Sequence, residues 1–326
     1  MQLILNTPGA YLSKSGNCFQ VKVGDEKKQI SVHKVQSILV TTCAAFSSDA
    51  IQLAMNNNID VVFLDRFGNP YGRVWQSRLG STTRIRRRQL EISETEEGLK
   101  LVTGWIEKKM DNQIQFLEDL KRHRESKAEK IETYLKSLRL AKEKIRGVSG
   151  TLEEKRGNLM GIEGSAGRSY FGALGYLIPK AWKFDGRSKQ PAKDGFNAML
   201  NYSYGILYSM VERACILAGL DPYIGFLHTD NYNKKSLVFD LIEPFRILGE
   251  KSVFYIFSKR EAKKDHFDQI KNGVTLNQDG KKLLISAFNQ RMEAKVRYRG
   301  RNILQKHIVQ FECHRIANQL MGTNGN

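Results

Sequence analysis

EEGLKLVTGWIEKKMDNQIQFLEDLKRHRESKAEKIETYLKSLRLAKEKIR, residues 96–146, is the stretch that decides the fold. Its apolar residues, among them Leu101, Trp105, Ile114, Leu117, Ile131, Leu135 and Leu138, recur at three- and four-residue steps with charges of both signs between them. This is the period of amphipathic helices laced with side-chain pairs one turn apart, and it reads as scaffold. Upstream the period is different. QLILN, CFQVKV, KVQSILVTT and IDVVFLD are strand-sized and separated by Gly, Asn and Asp turn signals. One helix interrupts them at 47–58, SSDAIQLAMNNN, opened by a Ser/Asp cap and stopped by asparagines.

Downstream the helical period persists at 157–178, 195–220, 236–257 and in a final pair around 279–321. The fold class expected is therefore α+β. A small N-terminal β-rich domain (1–78) leads through a basic linker and helix start (79–92) to a larger C-terminal all-α domain (93–326). The carboxylates of the β-rich half, Asp60 and Asp65, fall at strand and turn ends where solvation is the default, so that half is expected to serve contacts rather than chemistry.

Fifty-two Lys and Arg against 34 Asp and Glu leave a net charge of +18, while 41% hydrophobic residues speak for a folded chain. An excess of that size points to a polyanionic partner, because each neutralised phosphate releases counterions. No run approaches the ~18 apolar residues needed to span a bilayer; VVFL at 61–64 and VFYIF at 253–257 are strand-sized. The N-terminus MQLILNTPGAYLS lacks the marks of a signal peptide, so a cytoplasmic location is expected. Cys18, Cys43, Cys215 and Cys313 are too scattered for structural zinc or a disulfide framework and read as small buried hydrophobes. Nucleotide-binding and zincin motifs are absent, which argues against an ATPase, a dinucleotide enzyme and a zinc protease.

Three features bear on chemistry. In GIEGSAGRSYF, Glu163 stands among Gly161, Gly164 and Gly167, whose steps of three predict a smooth helix face open to close packing and a buried glutamate. Such a carboxylate either meets a cation, a donor set or a metal, or it faces water or pairs with Arg168. His228 follows the apolar AGLDPYIGFL and precedes the polar TDNYNKK; it is a satisfied core or loop histidine, or a ligand with one ring nitrogen available. In SLVFDLIEPFR, Asp240 and Glu243 lie three apart and face one way, as a solvent face or around a cation, and Pro244 predicts a kink or restart of the helix. One imidazole with two or three carboxylates suits Mg²⁺ or Mn²⁺, and in a basic protein that points to phosphodiester chemistry.

The run RVWQSRLGSTTRIRRR at 73–88 holds six arginines and no acid, and is either a solvated linker or a phosphate-backbone clamp.

At these residues the sequence resembles the CRISPR-associated spacer integrase family, the larger protein of the adaptation complex. GAYLSKSGN, HKVQSILV, IDVVFLDRFGNPYGR, GIEGSAGRSYF, MLNYSYGILY, AGLDPYIGFLH and SLVFDLIEPFR carry the resemblance, in order, across nearly the whole chain. It implies that Glu163, His228 and Glu243 bind the metal, with Asp240 an acidic neighbour at the catalytic centre and Asn201 and Tyr202 lining it. It implies further a homodimer formed through the β domain, a small ferredoxin-like CRISPR-associated partner, and DNA as substrate. The reaction implied is transesterification by a spacer 3′-hydroxyl on the CRISPR repeat, with hydrolysis when water replaces that hydroxyl. Arg84, Arg86, Arg87 and Arg88, and Arg297, Arg299 and Arg301 in the second basic stretch at 291–307, are then candidates for DNA backbone contacts. Two other classes remain open: an architectural nucleic-acid binder whose acidic cluster is structural, and an RNA-directed metal nuclease.

Overall fold

Alternation of side chains along the first strands builds a wall with two apolar faces. The computed structural model describes residues 2–35, 37–65, 70–74, 83–228 and 234–322. The N-terminal strands are β1 (Gln2–Leu5), β2 (Ala10–Ser15), β3 (Cys18–Val23), β4 (Glu26–Ser31), β5 (Ser37–Val40), β6 (Ala44–Phe46), β7 (Asp60–Leu64) and β8 (Pro70–Val74). They form two four-stranded sheets, β1-β5-β7-β8 and β4-β3-β2-β6. Helix α1 (Ser48–Asn56) crosses between β6 and β7, capped by the Ser47 hydroxyl, which accepts from the Ala50 N–H at 3.2 Å.

In the first sheet Leu3, Leu5, Ile38, Val40 and Val61 enter a small core with Leu12, Phe19, Leu53 and Ala54. Leu39, Val62 and Leu64 face the other way, into the core of the helical part. Every residue of β5 is consequently buried, as a strand covered on both faces must be.

The helical part comprises α2 (Thr83–Ile92), α3 (Glu96–Arg122), α4 (Ala128–Arg146), α5 (Leu152–Leu177), α6 (Gly195–Leu217), α7 (Ser236–Leu241), α8 (Arg246–Ser258), α9 (Gln278–Met292) and α10 (Gln305–Leu320). The 96–146 stretch thus forms two long helices, α3 and α4, which pack on each other, while α5 packs on both. α5 starts with a capping box between Thr151 and Glu154. Where Pro244 predicts a break, α7 stops at Leu241, a 3-10 turn spans Glu243–Phe245, and α8 restarts at Arg246.

Two expectations need correction. The C-terminal part is not purely helical, because β9 (Phe267–Ile270) pairs with β10 (Gly273–Leu276), and β11 (Lys295–Tyr298) with β12 (Arg301–Leu304). The second hairpin turns on Arg299 and Gly300, both with positive φ (46° and 81°), the conformation a two-residue hairpin loop demands. VFYIF lies inside α8, in keeping with the helical reading of 236–257, because burial on several sides lets a continuous apolar run be helical. All four cysteines are free; Cys215 and Cys313 are buried as expected, whereas Cys43 is exposed. Among the described residues no helix is long and apolar enough to cross a membrane.

Candidate active site

α3 passes between α5 and the 3-10 turn that follows α7, and at that crossing three charged side chains meet. The Lys109 ammonium contacts the Glu163 carboxylate and lies 2.7 Å from Glu243 Oε2. On the far side, Arg246 closes on Glu243 Oε1 through Nε (2.9 Å) and a terminal nitrogen (2.8 Å). Glu243 is thus an anion between two cations, with its oxygens divided between them. Its side chain is 7% exposed and that of Glu163 30%, so the cluster opens toward solvent on the Glu163 side. Burial works against the Glu243 anion, but Arg246 and Lys109 outweigh it and bring its carboxyl below the ordinary range. Burial likewise opposes the Lys109 charge, and Glu243 and Glu163 reverse the effect, so this lysine is held above its usual value.

His228 is placed by a different device. Asp240, 1% exposed, accepts the backbone N–H groups of Phe226 (2.7 Å) and Leu227 (3.1 Å) on Oδ2, and that of His228 (3.1 Å) on Oδ1. The same Oδ1 lies 2.6 Å from His228 Nδ1. Asp240 Oδ1 thus holds the ring by Nδ1 and leaves Nε2 turned away from this carboxylate. No described residue bonds to Nε2. Burial pushes the Asp240 carboxyl up, and the hydrogen bond and charge of His228 pull against it. Gly225 permits the close packing of this loop, because a Cβ there would collide with the His228 carbonyl and with Ser236. The polar residues at 229–233 lie outside the described residues.

Several sequence readings change at this point. Asp240 and Glu243 do not share one cation: Asp240 fixes the histidine loop, while Glu243 faces α3. Glu163 is half-buried rather than buried, and Arg168 is not its partner; Lys109 is. Among the described residues nothing packs against Gly161 and Gly167, and Gly164 has only the tip of Arg168 at 4.0 Å, so no described helix covers the glycine face beside Glu163. Among the described residues no three His, Cys, Asp or Glu side chains stand together as a metal cluster. Two of the candidate ligands converge on an ammonium, and the third is held by Asp240 nearby in sequence. The donors still suit a divalent ion: two carboxylates already bring oxygen to one cation, Glu243 Oε2 is buried without a hydrogen bond, and an imidazole nitrogen is left over.

Lys109, Arg246 and Tyr204 were not singled out from the sequence. The Arg246 guanidinium lies 4.7 Å from the Tyr204 ring centroid, and the Tyr204 hydroxyl donates to the buried Glu250 at 2.7 Å. Of the expected lining residues, Asn201 accepts from Arg187 at 2.5 Å, and Tyr202 is buried with Lys281 over its ring. Lys109 does leave a signal. It occupies the core stripe of α3 between Trp105 and Gln113, a position where an unpaired lysine is costly.

The basic residues divide. Arg84 and Arg87 are exposed, whereas Arg86 pairs with Asp221 at 3.5 Å and Arg88 with Glu91 at 3.3 Å and with Glu97. Arg78 lies outside the described residues. Arg73 is no backbone clamp: its guanidinium is buried against Asp60 (3.4 Å) and Glu212 (3.3 Å) at the joint between the sheet and α6. Asp60 is not solvated either, being 1% exposed and also paired with Arg213 at 3.2 Å. Arg297, Arg299 and Arg301 are exposed on the β11–β12 hairpin.

By its fold the chain falls in the class of α+β proteins that join an N-terminal β-rich region to a larger helical part. It belongs to the Cas1 family, since the family model for CRISPR associated protein Cas1 matches residues 3–290. A relative from Archaeoglobus fulgidus, named CRISPR-associated endonuclease Cas1 1, is 34% identical over 99% of this chain and 97% of its own. Another, a CRISPR-associated endonuclease Cas1 2 from Saccharolobus solfataricus, is 32% identical over 75% of this chain and 71% of its own. The same fold occurs in a casposase bound to integration product (TM-score 0.85, 22% identity, 100% of this chain and 92% of that one). It occurs also in a Cas1 protein from Thermotoga maritima (0.82, 22%, 100% and 99%) and in a Cas6-RT-Cas1–Cas2 complex (0.80, 22%, 99% of this chain and 35% of that one).

Proposed function

We propose that this chain is a metal-dependent DNA integrase and endonuclease that inserts short foreign DNA into a CRISPR array during adaptation. The observation that carries the reading is the convergence of Glu163 and Glu243, from separate helical elements, on one cation, with His228 held by Asp240, three residues before Glu243. Glu163, Glu243 and His228 would hold Mg²⁺ or Mn²⁺, which supplies charge neutralisation at the phosphate and orientation of the attacking and leaving oxygens. Asp240 fixes the His228 ring plane, and so acts through the histidine rather than on the substrate. Arg246 keeps Glu243 ionised and in place. The open glycine face of α5 leaves room beside Glu163 for a sugar-phosphate backbone.

A spacer 3′-hydroxyl attacking a repeat phosphodiester exchanges one ester for another, so no nucleotide hydrolysis is needed, and water in place of the hydroxyl gives cleavage. The β-rich region, with Tyr71 exposed on β8, is the proposed homodimer contact. The proposed third component is the small ferredoxin-like adaptation protein, in keeping with the Cas1–Cas2 assembly among the relatives of this fold. Strand joining by Glu163→Gln and His228→Ala proteins tests the reading. A loss of about a hundredfold or more is expected, with duplex binding retained. Undiminished joining would instead leave an architectural binder.

A further inference from the structure

Lys109 carries chemistry that the proposed reaction does not use. It is a buried ammonium, 9% exposed, set in the apolar stripe of α3, and the carboxylates it contacts are those of Glu163 and Glu243. The charges balance without any ion: two carboxylates face Lys109 and Arg246. The two cations are held differently, however. Arg246 grips Glu243 Oε1 with two nitrogens of a rigid fork. Lys109 reaches Oε2 at 2.7 Å through a single ammonium, which also donates to Glu163.

We propose that Lys109 is a built-in place-holder: in the metal-free protein its ammonium stands where the divalent ion belongs between Glu163 and Glu243, and it moves aside when the ion enters. This inference rests on the reading of Glu163 and Glu243 as metal ligands. Two considerations support displacement over co-occupancy. A divalent ion and an ammonium reaching for the same two carboxylates would repel strongly in a site so poorly solvated. Lysine, unlike arginine, carries a single point charge on a flexible stem and can withdraw by rotation of its own chain. The consequence is a site whose carboxylates stay together without metal, at the expense of affinity for it. Metal loading is then an exchange of cations, not a capture by two repelling anions.

Mn²⁺ binding to the full-length protein, followed by electron paramagnetic resonance, tests this with Lys109→Met, which keeps the stem and removes the charge. Its dissociation constant for Mn²⁺ should fall at least about tenfold relative to wild type, because no internal cation competes. In EDTA the same variant should melt lower, by roughly 5 °C, and regain the difference when Mn²⁺ is added. Should the variant not fold, wild-type protein answers alone. Acetylation of Lys109, mapped by mass spectrometry, should be slow in EDTA and rise severalfold at saturating Mn²⁺. Unchanged or weaker Mn²⁺ binding by the variant overturns the proposal, as does unchanged labelling in wild-type protein shown by resonance to hold Mn²⁺. If wild type binds no Mn²⁺, or if Glu163→Gln binds it as well as wild type, the metal reading itself fails, and the place-holder with it.

Discussion

Two buried ion clusters, built from the same kinds of residue, differ in how far they open to solvent. At the domain joint, Asp60 and Glu212 are enclosed, 1% and 3% exposed, and Arg73, Arg213 and Lys235 surround them. At the candidate active site, Glu163 and Glu243 meet Lys109 and Arg246, but Glu163 remains partly open, and Asp240, three residues before Glu243, holds an imidazole whose second nitrogen has no partner among the described residues. Charge pairing and burial do not separate a structural cluster from a reactive one. Access does, together with a donor left over once all internal partners are counted.

Removing a cation from the closed cluster should therefore have the largest effect on stability. Arg73→Met leaves Asp60 and Glu212 short of a partner and is expected to cost about 3–5 kcal/mol. Urea unfolding measures that cost, and strand joining per folded molecule should be close to wild type. A joint variant that kept its stability but lost joining would erase the distinction between the clusters. At the open cluster the order reverses. Asp240→Asn weakens the support of His228 and should lower joining about 10- to 100-fold. Its DNA affinity should not change, and a wild-type rate would show that the histidine needs no such support.

Acid titration sharpens the contrast. The Glu243 carboxyl is lowered in the native state, so its stabilisation is complete above its unfolded value of about 4.5 and is lost as pH falls through the lower native value. Asp60 is raised, chiefly by burial, so its contribution runs in the opposite direction: protonation relieves a cost as pH falls. Comparing wild type with Glu243→Gln by denaturant titration, the stability difference should shrink from pH 5 downward; a constant difference would refute the assignment. The smallest effect belongs to the surface. Arg84→Ala with Arg87→Ala, both exposed, should reduce the slope of log affinity against log salt by about 2, and Arg86→Ala with Arg88→Ala by less, because acids already neutralise that pair. Equal slopes for the two double variants would show that the internal pairs do not shield.

Much of this was legible in the chain. The switch from a short strand pattern to a helical one, the Ser47 cap and the restart at Pro244 are all local, and local chemistry fixes them. The same holds for Glu163, His228 and Glu243, which carry the family resemblance string by string. Harder to see were the hairpins at 267–276 and 295–304, whose turns rest on positive-φ residues such as Asn272 and Arg299 that no hydrophobic period announces.

The sequence by itself determined the α+β order, the basic charge and the candidate acidic and imidazole groups, because these follow from periodicity, capping and composition along neighbouring residues. Only the tertiary structure decided which charges meet. Lys109 and Glu163 lie 54 positions apart, Arg73 and Glu212 farther still, and nothing local distinguishes the arginine that ties the joint from the arginines left in solvent. Ion pairing depends on distance in space and on burial, and both are set by how the helices and the sheet pack.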